Sequence, residues 1–485
     1  MPGSSYGWRA LALVALLWPW PQAVAAAVTG EADAAAHAAP HLDGADLGLF
    51  WAVPFAGILL SIALFPLLAP SFWHHHFGKV SAGWAAAFLM PFALVFGLEI
   101  ALYEAVHTAL LEYFPFIILL LSLFTVTGGL RVRTSLQGTP AFNTAILALG
   151  TGLASWMGTT GAAMLLIRPV LRANAWRRYR VHVIVFFIFL VANIGGSLTP
   201  LGDPPLFLGF LKGVDFFWPT RHMFWPMMLV ASILLVLFYM LDVVMVRRED
   251  RPVPERASDQ PVFRVEGKIN LLLLGGIVLS VLMSGVWNSG VTFEIYHVEV
   301  TLQGLLRDVL LLGIAAASFV LTPRETRLAN DFSWFPIVEV AKLFAGIFIT
   351  IIPAIAILRA GTAGALAPVI ETVNQGGEPV DVAYFWATGV LSSFLDNAPT
   401  YLVFFNTAGG DAAALMGPMA STLLAISAGA VFMGANTYIG NAPNFMVRAI
   451  AEEAGVRMPS FFGYMVWSCV ILLPVFALMT WIFLV

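Results

Sequence analysis

Apolar runs of about 20 residues recur along this chain, the length a helix needs to cross a bilayer. Uninterrupted runs predict spanning helices near 49–70, 82–103, 109–130, 222–246, 269–288, 306–322, 334–359 and 460–484. Four further segments are just as apolar but broken. Those near 181–211 and 412–455 read as interrupted spans, and those near 140–168 and 383–408 break in the middle. The stretch "NIGGSLTPLGDPPLFLG", Asn193–Gly209, puts three prolines, four glycines and an acid inside membrane-length sequence. Irregular backbone leaves N–H and C=O groups unpaired, which hydrocarbon does not tolerate. Such a stretch has to lie inside protein or along a wet cavity.

Composition agrees with the pattern. Of 485 residues, 60% are hydrophobic and 11% charged, against about 25% charged in soluble domains. A net charge of −4 argues for no nucleic-acid partner. The single cysteine, Cys469, excludes an internal disulfide framework and reads as a packed small hydrophobe. No HExxH, Gly-x-Ser-x-Gly or nucleotide-binding loop is present, so neither an enzyme nor a cofactor is expected. Residues 1–26 carry Arg9, a short apolar core and Ala-Val-Ala, the pattern of a signal peptide. Residues 27–48 then form an external tail.

Lys and Arg set the topology, since cytoplasmic loops are enriched in both. With 140–168 and 383–408 as re-entrant hairpins, Lys79, Arg131, Arg133, Arg168, Arg172, Arg177, Arg247, Arg264, Lys268, Arg324 and Arg448 all fall inside. Few basic residues, such as Lys212, Arg221 and Arg359, then fall outside. The hairpins also repeat. "TGLASWMGTT" from Thr151 matches "TGVLSSFLDN" from Thr388 at an offset of 237, pairing Ser155 with Ser392 and Thr159 with Asp396. Gly202-Asp203-Pro204-Pro205 matches Gly440-Asn441-Ala442-Pro443 at 238. An odd number of crossings between equivalent points inverts one half relative to the other. The expected fold is an all-α polytopic membrane protein of two inverted repeats, each with a re-entrant hairpin and a broken transmembrane helix. The first repeat spans 49–246, a cytoplasmic linker 247–268, and the second repeat 269–485. Inverted repeats with broken helices meeting at mid-membrane are an architecture of secondary transporters.

The paired elements "GSLTPLGDPPLF" and "DNAPTYLVFFN" resemble the ion transporter superfamily, which includes NhaD-type sodium/proton antiporters and CitMHS-type citrate transporters. The resemblance covers roughly residues 50–485. It implies a scaffold domain and a moving transport domain, commonly in a homodimer. The expected location is a bacterial-type inner membrane, and the charge bias puts the mature N-terminus outside. Hairpin tips and broken helices would form the site.

The chemistry narrows the site. Asp203 and Asp396 are acids in apolar surroundings, where a carboxylate costs about 2.5–3.5 kcal/mol on insertion scales and marks function by default. Neighbouring oxygens suited to a hard cation come from Asn397, Thr159, Thr160, Thr199, Asn436, Thr437 and Asn441. Gly202, Pro204, Pro205, Gly440 and Pro443 break the helices where a ligand meets backbone. A carboxylate holding either a proton or Na⁺ gives exchange by competition, hence a sodium/proton antiporter working by alternating access, with no metal beyond the transported Na⁺. The alternative is a cation-coupled citrate or other carboxylate transporter, whose anion would sit on half-helix N-termini. Against it, no Lys or Arg lies within 141–167, 182–211 or 383–447. Plainer readings stand beside these. Asp203 and Asp396 could cap half-helices, and Asn193 and Asn436 could satisfy unwound backbone. Glu339 and Lys342 would form a structural pair, Glu99, Glu104 and Glu112 would face water, and His74–His76 would be a solvated interfacial run.

Overall fold

The structure is a computed structural model that describes residues 42–250, Val253 and 263–485. The expected signal peptide, most of the tail and most of the 247–268 linker lie outside the described residues. Helix α1 (Val53–Leu68), entered through a 3₁₀ turn, is followed by α2 (Pro70–Phe96). The next span, Leu98–Thr127, joins α3 (Leu98–Thr108) to α4 (Phe114–Thr127) through a π-helical turn at Ala109–Tyr113. Two helix–break–helix pairs follow: α5 (Pro140–Met157) with α6 (Thr159–Ala173), and α7 (Val181–Leu190) with α8 (Pro204–Leu211). The long α9 (Trp218–Arg247) precedes α10 (Ile269–Val286) and α11 (Leu302–Leu321). Beyond the short α12 (Arg324–Ala329), α13 (Phe335–Thr350) bends by 41° into α14 (Ile352–Arg359). The short α15 (Ala367–Val373) leads to the pair α16 (Asp381–Phe394) and α17 (Asn397–Thr407). After α18 (Ala412–Met416), α19 (Ala420–Met433) and α20 (Ala442–Glu453) flank a second break, and α21 (Phe461–Phe483) ends the chain.

Among the described residues, 8 helices are long and apolar enough to cross a membrane, or up to 9 with the bent α13–α14 pair counted as one. The chain is therefore a multi-pass membrane protein of all-α architecture. Its centre is the first broken segment. Val181–Leu198 is 89% buried, whereas Pro70–Phe96 is 17% and Ile269–Val286 22% buried. The outer helices instead turn apolar side chains outward, including Leu94, Val286 and Val320. Protein thus shields the irregular backbone, as a hydrocarbon setting demands, and the outer spans solvate it in lipid.

Local chemistry moved several boundaries. The expected span 82–103 is cut at Gly97, whose φ of 95° is a left-handed position that favours glycine. The helix before it starts at Pro70 and so includes His74–His76, with His74 and His75 exposed. The expected span 334–359 bends because Pro353 lacks the N–H needed to continue the ladder. Three short two-stranded antiparallel sheets among the described residues were not foreseen. One pairs β1 (Arg131–Thr134) with β2 (Phe263–Glu266), with Arg131 3.2 Å from Glu266, and ties the loop after α4 to the entry of α10. The others join β3 (Thr292–Ile295) to β4 (Val298–Thr301) and β5 (Asn374–Gln375) to β6 (Glu378–Pro379). Cys469 is exposed on α21 rather than packed.

Candidate functional site

The break between α5 and α6 is Gly158, at φ 80°. It frees the Thr159 N–H, which donates to the Gly202 carbonyl at 2.8 Å in the broken α7–α8 segment. Ser155, one turn back, donates to Gly195 O at 2.5 Å and accepts from Leu198 N at 3.0 Å. Thr199 closes the loop on the Ser155 carbonyl. The polar side chains of the first pair therefore satisfy the unwound backbone of the second.

The same contacts recur in the other half. The Ser393 hydroxyl lies 2.7 Å from Gly389 O on its own helix and 3.1 Å from Met433 O across the break, and it accepts from Asn436 Nδ2 at 2.9 Å; Thr437 donates to the Ser393 carbonyl. Thr199 corresponds to Thr437 and Ser155 to Ser393, at 437 − 199 = 238 and 393 − 155 = 238. The contacts thus pair Ser155 with Ser393 rather than Ser392. The Thr-Gly identity that suggested 237 lies one turn further back on the helices. Glycines match at 238 too. A Cβ on Gly202 would stand 2.1 Å from Gly196 O, and one on Gly440 2.6 Å from Gly434 O. Pro204, Pro205 and Pro443 occupy the first turns of α8 and α20, where a missing N–H costs nothing.

The four elements meet at Asp203. Its Oδ1 accepts from Thr159 Oγ1 at 3.0 Å and from Asn441 Nδ2 at 3.1 Å, and its Oδ2 accepts from Asn397 Nδ2 at 2.5 Å. The residue is 2% exposed. Its side chain makes no capping bond to α8, so the plain capping role does not describe it. Asp396 does cap: its Oδ1 accepts from Ala398 N at 3.0 Å, and the residue is half-buried. Thr160 is half-buried at the start of α6 and does not bond to Asp203. Two side-chain acceptors of these elements are buried and unpartnered among the described residues, Asn397 Oδ1 and Asn436 Oδ1.

Asn444 was missed in the sequence. It accepts from Asn193 Nδ2 at 2.7 Å and donates to Gly434 O and Thr437 O at 2.8 and 2.9 Å. Asn193 also donates to Ile188 O at 2.8 Å, so it does satisfy unwound backbone while joining the two breaks. The only signal for Asn444 was an amide directly after Pro443, where the first half has Leu206.

Ionisable groups elsewhere depart from expectation. Glu112 is 6% exposed and paired with Lys212 rather than facing water. The π-helical turn and the C-terminal end of α8 bring them together. Lys342 does not pair with Glu339: its ammonium sits 5.5 Å from the Phe77 ring centroid. Asp242, fully buried, binds Arg177, His182 at 2.6 Å and Asn143 at 3.0 Å. Arg307 and Asp308, both 6% exposed on α11, pair at 2.8 Å.

Residues 44–484 match the family model CitMHS_2, described as "Putative citrate transport". A search of curated proteins found no match.

Proposed function

We propose that this chain, which belongs to the CitMHS_2 citrate-transport family, is a cation-coupled transporter of a small carboxylate such as citrate, with Asp203 at the coupling site. The observation that carries this reading is the convergence of both helix–break–helix tips and both broken helices on one buried carboxylate. An acid in an apolar interior is costly, and Asp203 makes no helix-capping bond that would account for it. A coupling cation or a proton would neutralise it. Asn397 Oδ1, unpartnered and buried beside it, is an oxygen available to such a cation, and hard cations take oxygen ligands. The contacts repeating at an offset of 238 support two repeats, and the basic loops support their inversion and an external N-terminus. The 140–173 and 381–407 pairs act as re-entrant hairpins in this reading. Asp396 and Thr160 line the approach rather than the centre, and Thr199, Asn436 and Thr437 hold the unwound backbone. The homodimer in an inner membrane is carried over from the family resemblance.

The test is citrate uptake into proteoliposomes under a Na⁺ gradient and, separately, a proton gradient. Gradient-dependent accumulation that Asp203→Asn abolishes supports the reading. A second reading, sodium/proton antiport, is favoured by the lack of any Lys or Arg within 141–167, 182–211 and 383–447. Na⁺-driven proton movement without citrate, and no citrate uptake, would put antiport first.

A further inference from the structure

A carboxylate substrate needs positive charge or aligned N–H groups, and the stretches 141–167, 182–211 and 383–447, which carry the breaks, contribute no Lys or Arg. The missing cation comes from a different element. Arg307, the sixth residue of α11, lies in a segment apolar enough to span the membrane. Its guanidinium carbon is 6.0 Å from the centroid of the Phe207 ring. Phe207 is on α8, four residues beyond Asp203 and so about one helical turn along. The arginine therefore sits at the seam where the broken helix carrying Asp203 meets α11.

The hydrogen-bonding state of Arg307 sets it apart. Only Nε is used, at 2.8 Å from Asp308 Oδ1. The two terminal nitrogens have no partner among the described residues, although the residue is 6% exposed. Arg327, comparably buried, spends its terminal nitrogens on Thr125 O and Ser318 O at 2.9 Å each. Arg177 spends its own on Asp242 and Asn174. Arg177 and Arg327 thus bond both terminal nitrogens and leave only a buried Nε unpartnered, the reverse of the pattern at Arg307. Arg307 leaves free the planar pair of nitrogens that matches a carboxylate in bidentate geometry. Asp308 neutralises the charge without occupying that edge.

We propose that Arg307 is the carboxylate-binding residue of the transport pathway, presenting its terminal nitrogens to the anion at the α8–α11 seam beside Phe207. This rests on the carboxylate-transport reading above. Asp308 holds the guanidinium through Nε, and Phe207 packs its face, so the fork is oriented before the anion arrives. Arg307→Lys keeps a cation beside Asp308 but loses the fork.

The experiment measures citrate uptake kinetics in proteoliposomes and citrate-dependent thermal stabilisation in detergent, for wild type, Arg307→Lys and Arg307→Gln. Both variants are expected to raise the KM for citrate about 10- to 100-fold and to lose the citrate-induced shift in Tm. The dependence of residual uptake on the cation gradient should not change. An unchanged KM in Arg307→Lys overturns the inference and leaves the function standing. If wild type takes up no carboxylate, the function fails, and stabilisation decides the fork. A citrate shift present in wild type and absent in Arg307→Lys sustains it, and no shift in wild type overturns it. Arg307→Lys keeps the charge balance with Asp308, so the comparison survives a failure of Arg307→Gln to fold.

Discussion

Replacing Asp203 by Asn removes the charge and keeps the shape, so its effects on folding and coupling can be separated. Asp203 accepts three hydrogen bonds, from Thr159, Asn397 and Asn441. A bond to a charged group is worth about 1 kcal/mol more than a neutral one, so the amide forfeits about 3 kcal/mol. Against this, no carboxylate has to be carried into the apolar interior, which saves about 2.5–3.5 kcal/mol on insertion scales. The new Nδ2 would face the Asn397 Nδ2 now 2.5 Å from Oδ2. Asn397 can relieve that clash by turning its amide over, because its Oδ1 has no partner to lose. The net change in stability is therefore within about 1 kcal/mol. Tryptophan-fluorescence melts should show Asp203→Asn within a few degrees of wild type, while gradient-driven uptake falls to background. Uptake retaining its full dependence on the cation or proton gradient would refute the assignment of Asp203. A variant that cannot fold would refute the offsetting terms.

The other expectations concern backbone, buried charge and topology. Gly202→Ala puts a Cβ 2.1 Å from Gly196 O, between two backbones that cannot yield, and should cost about 2–3 kcal/mol in denaturation. Gly152→Ala, in the helix interior with open space around it, should instead stabilise by about 0.5–1 kcal/mol. Asp242→Asn leaves Arg177 buried without its counter-charge and should lose about 3–5 kcal/mol, seen as a sharply lower Tm or loss of monodisperse protein. In a Cys469→Ala background, Val253→Cys, at an exposed position, should resist an impermeant maleimide in intact cells and react in everted vesicles. Labelling of intact cells would invert the proposed orientation.

Much of the spanning pattern was legible because each run is long and apolar, and because Gly and Pro mark the breaks. Gly202, Pro204 and Pro205 pointed to the first break, and Asp203 drew attention as an acid where acids are expensive. The relative roles of the two acids were not legible. Both Asp203 and Asp396 precede a half-helix, and only the dihedrals and partners distinguish a cap from a hub. Pairings over long separations were also hidden. Glu112 looked like a solvated helix end until Lys212, 100 residues away, was placed against it. Gly97 looked like an ordinary residue of an apolar run, because composition does not reveal a positive φ. Arg307 was not singled out in the sequence, because nothing local indicated that Phe207, 100 residues away, would lie against it.

The two halves agree where they hold backbone and differ where they hold charge. Ser155 and Ser393, Thr199 and Thr437, and the glycine pairs keep the same contacts at one offset. At the centre, Thr159 stands opposite Asn397 and Asp203 opposite Asn441 at that same offset. Electrostatics accounts for the second difference. Asn441 Nδ2 lies 3.1 Å from Asp203 Oδ1. A second carboxylate at that spacing would cost about 5 kcal/mol at an effective dielectric of about 20, too much for an empty site to hold. An amide at 441 removes the repulsion and adds a donor that keeps the single carboxylate in place. In the proposed site one carboxylate is neutralised by one monovalent cation or one proton, and the two would then compete for Asp203. Strict repetition of the acid would have forced a shared proton or a divalent ion instead.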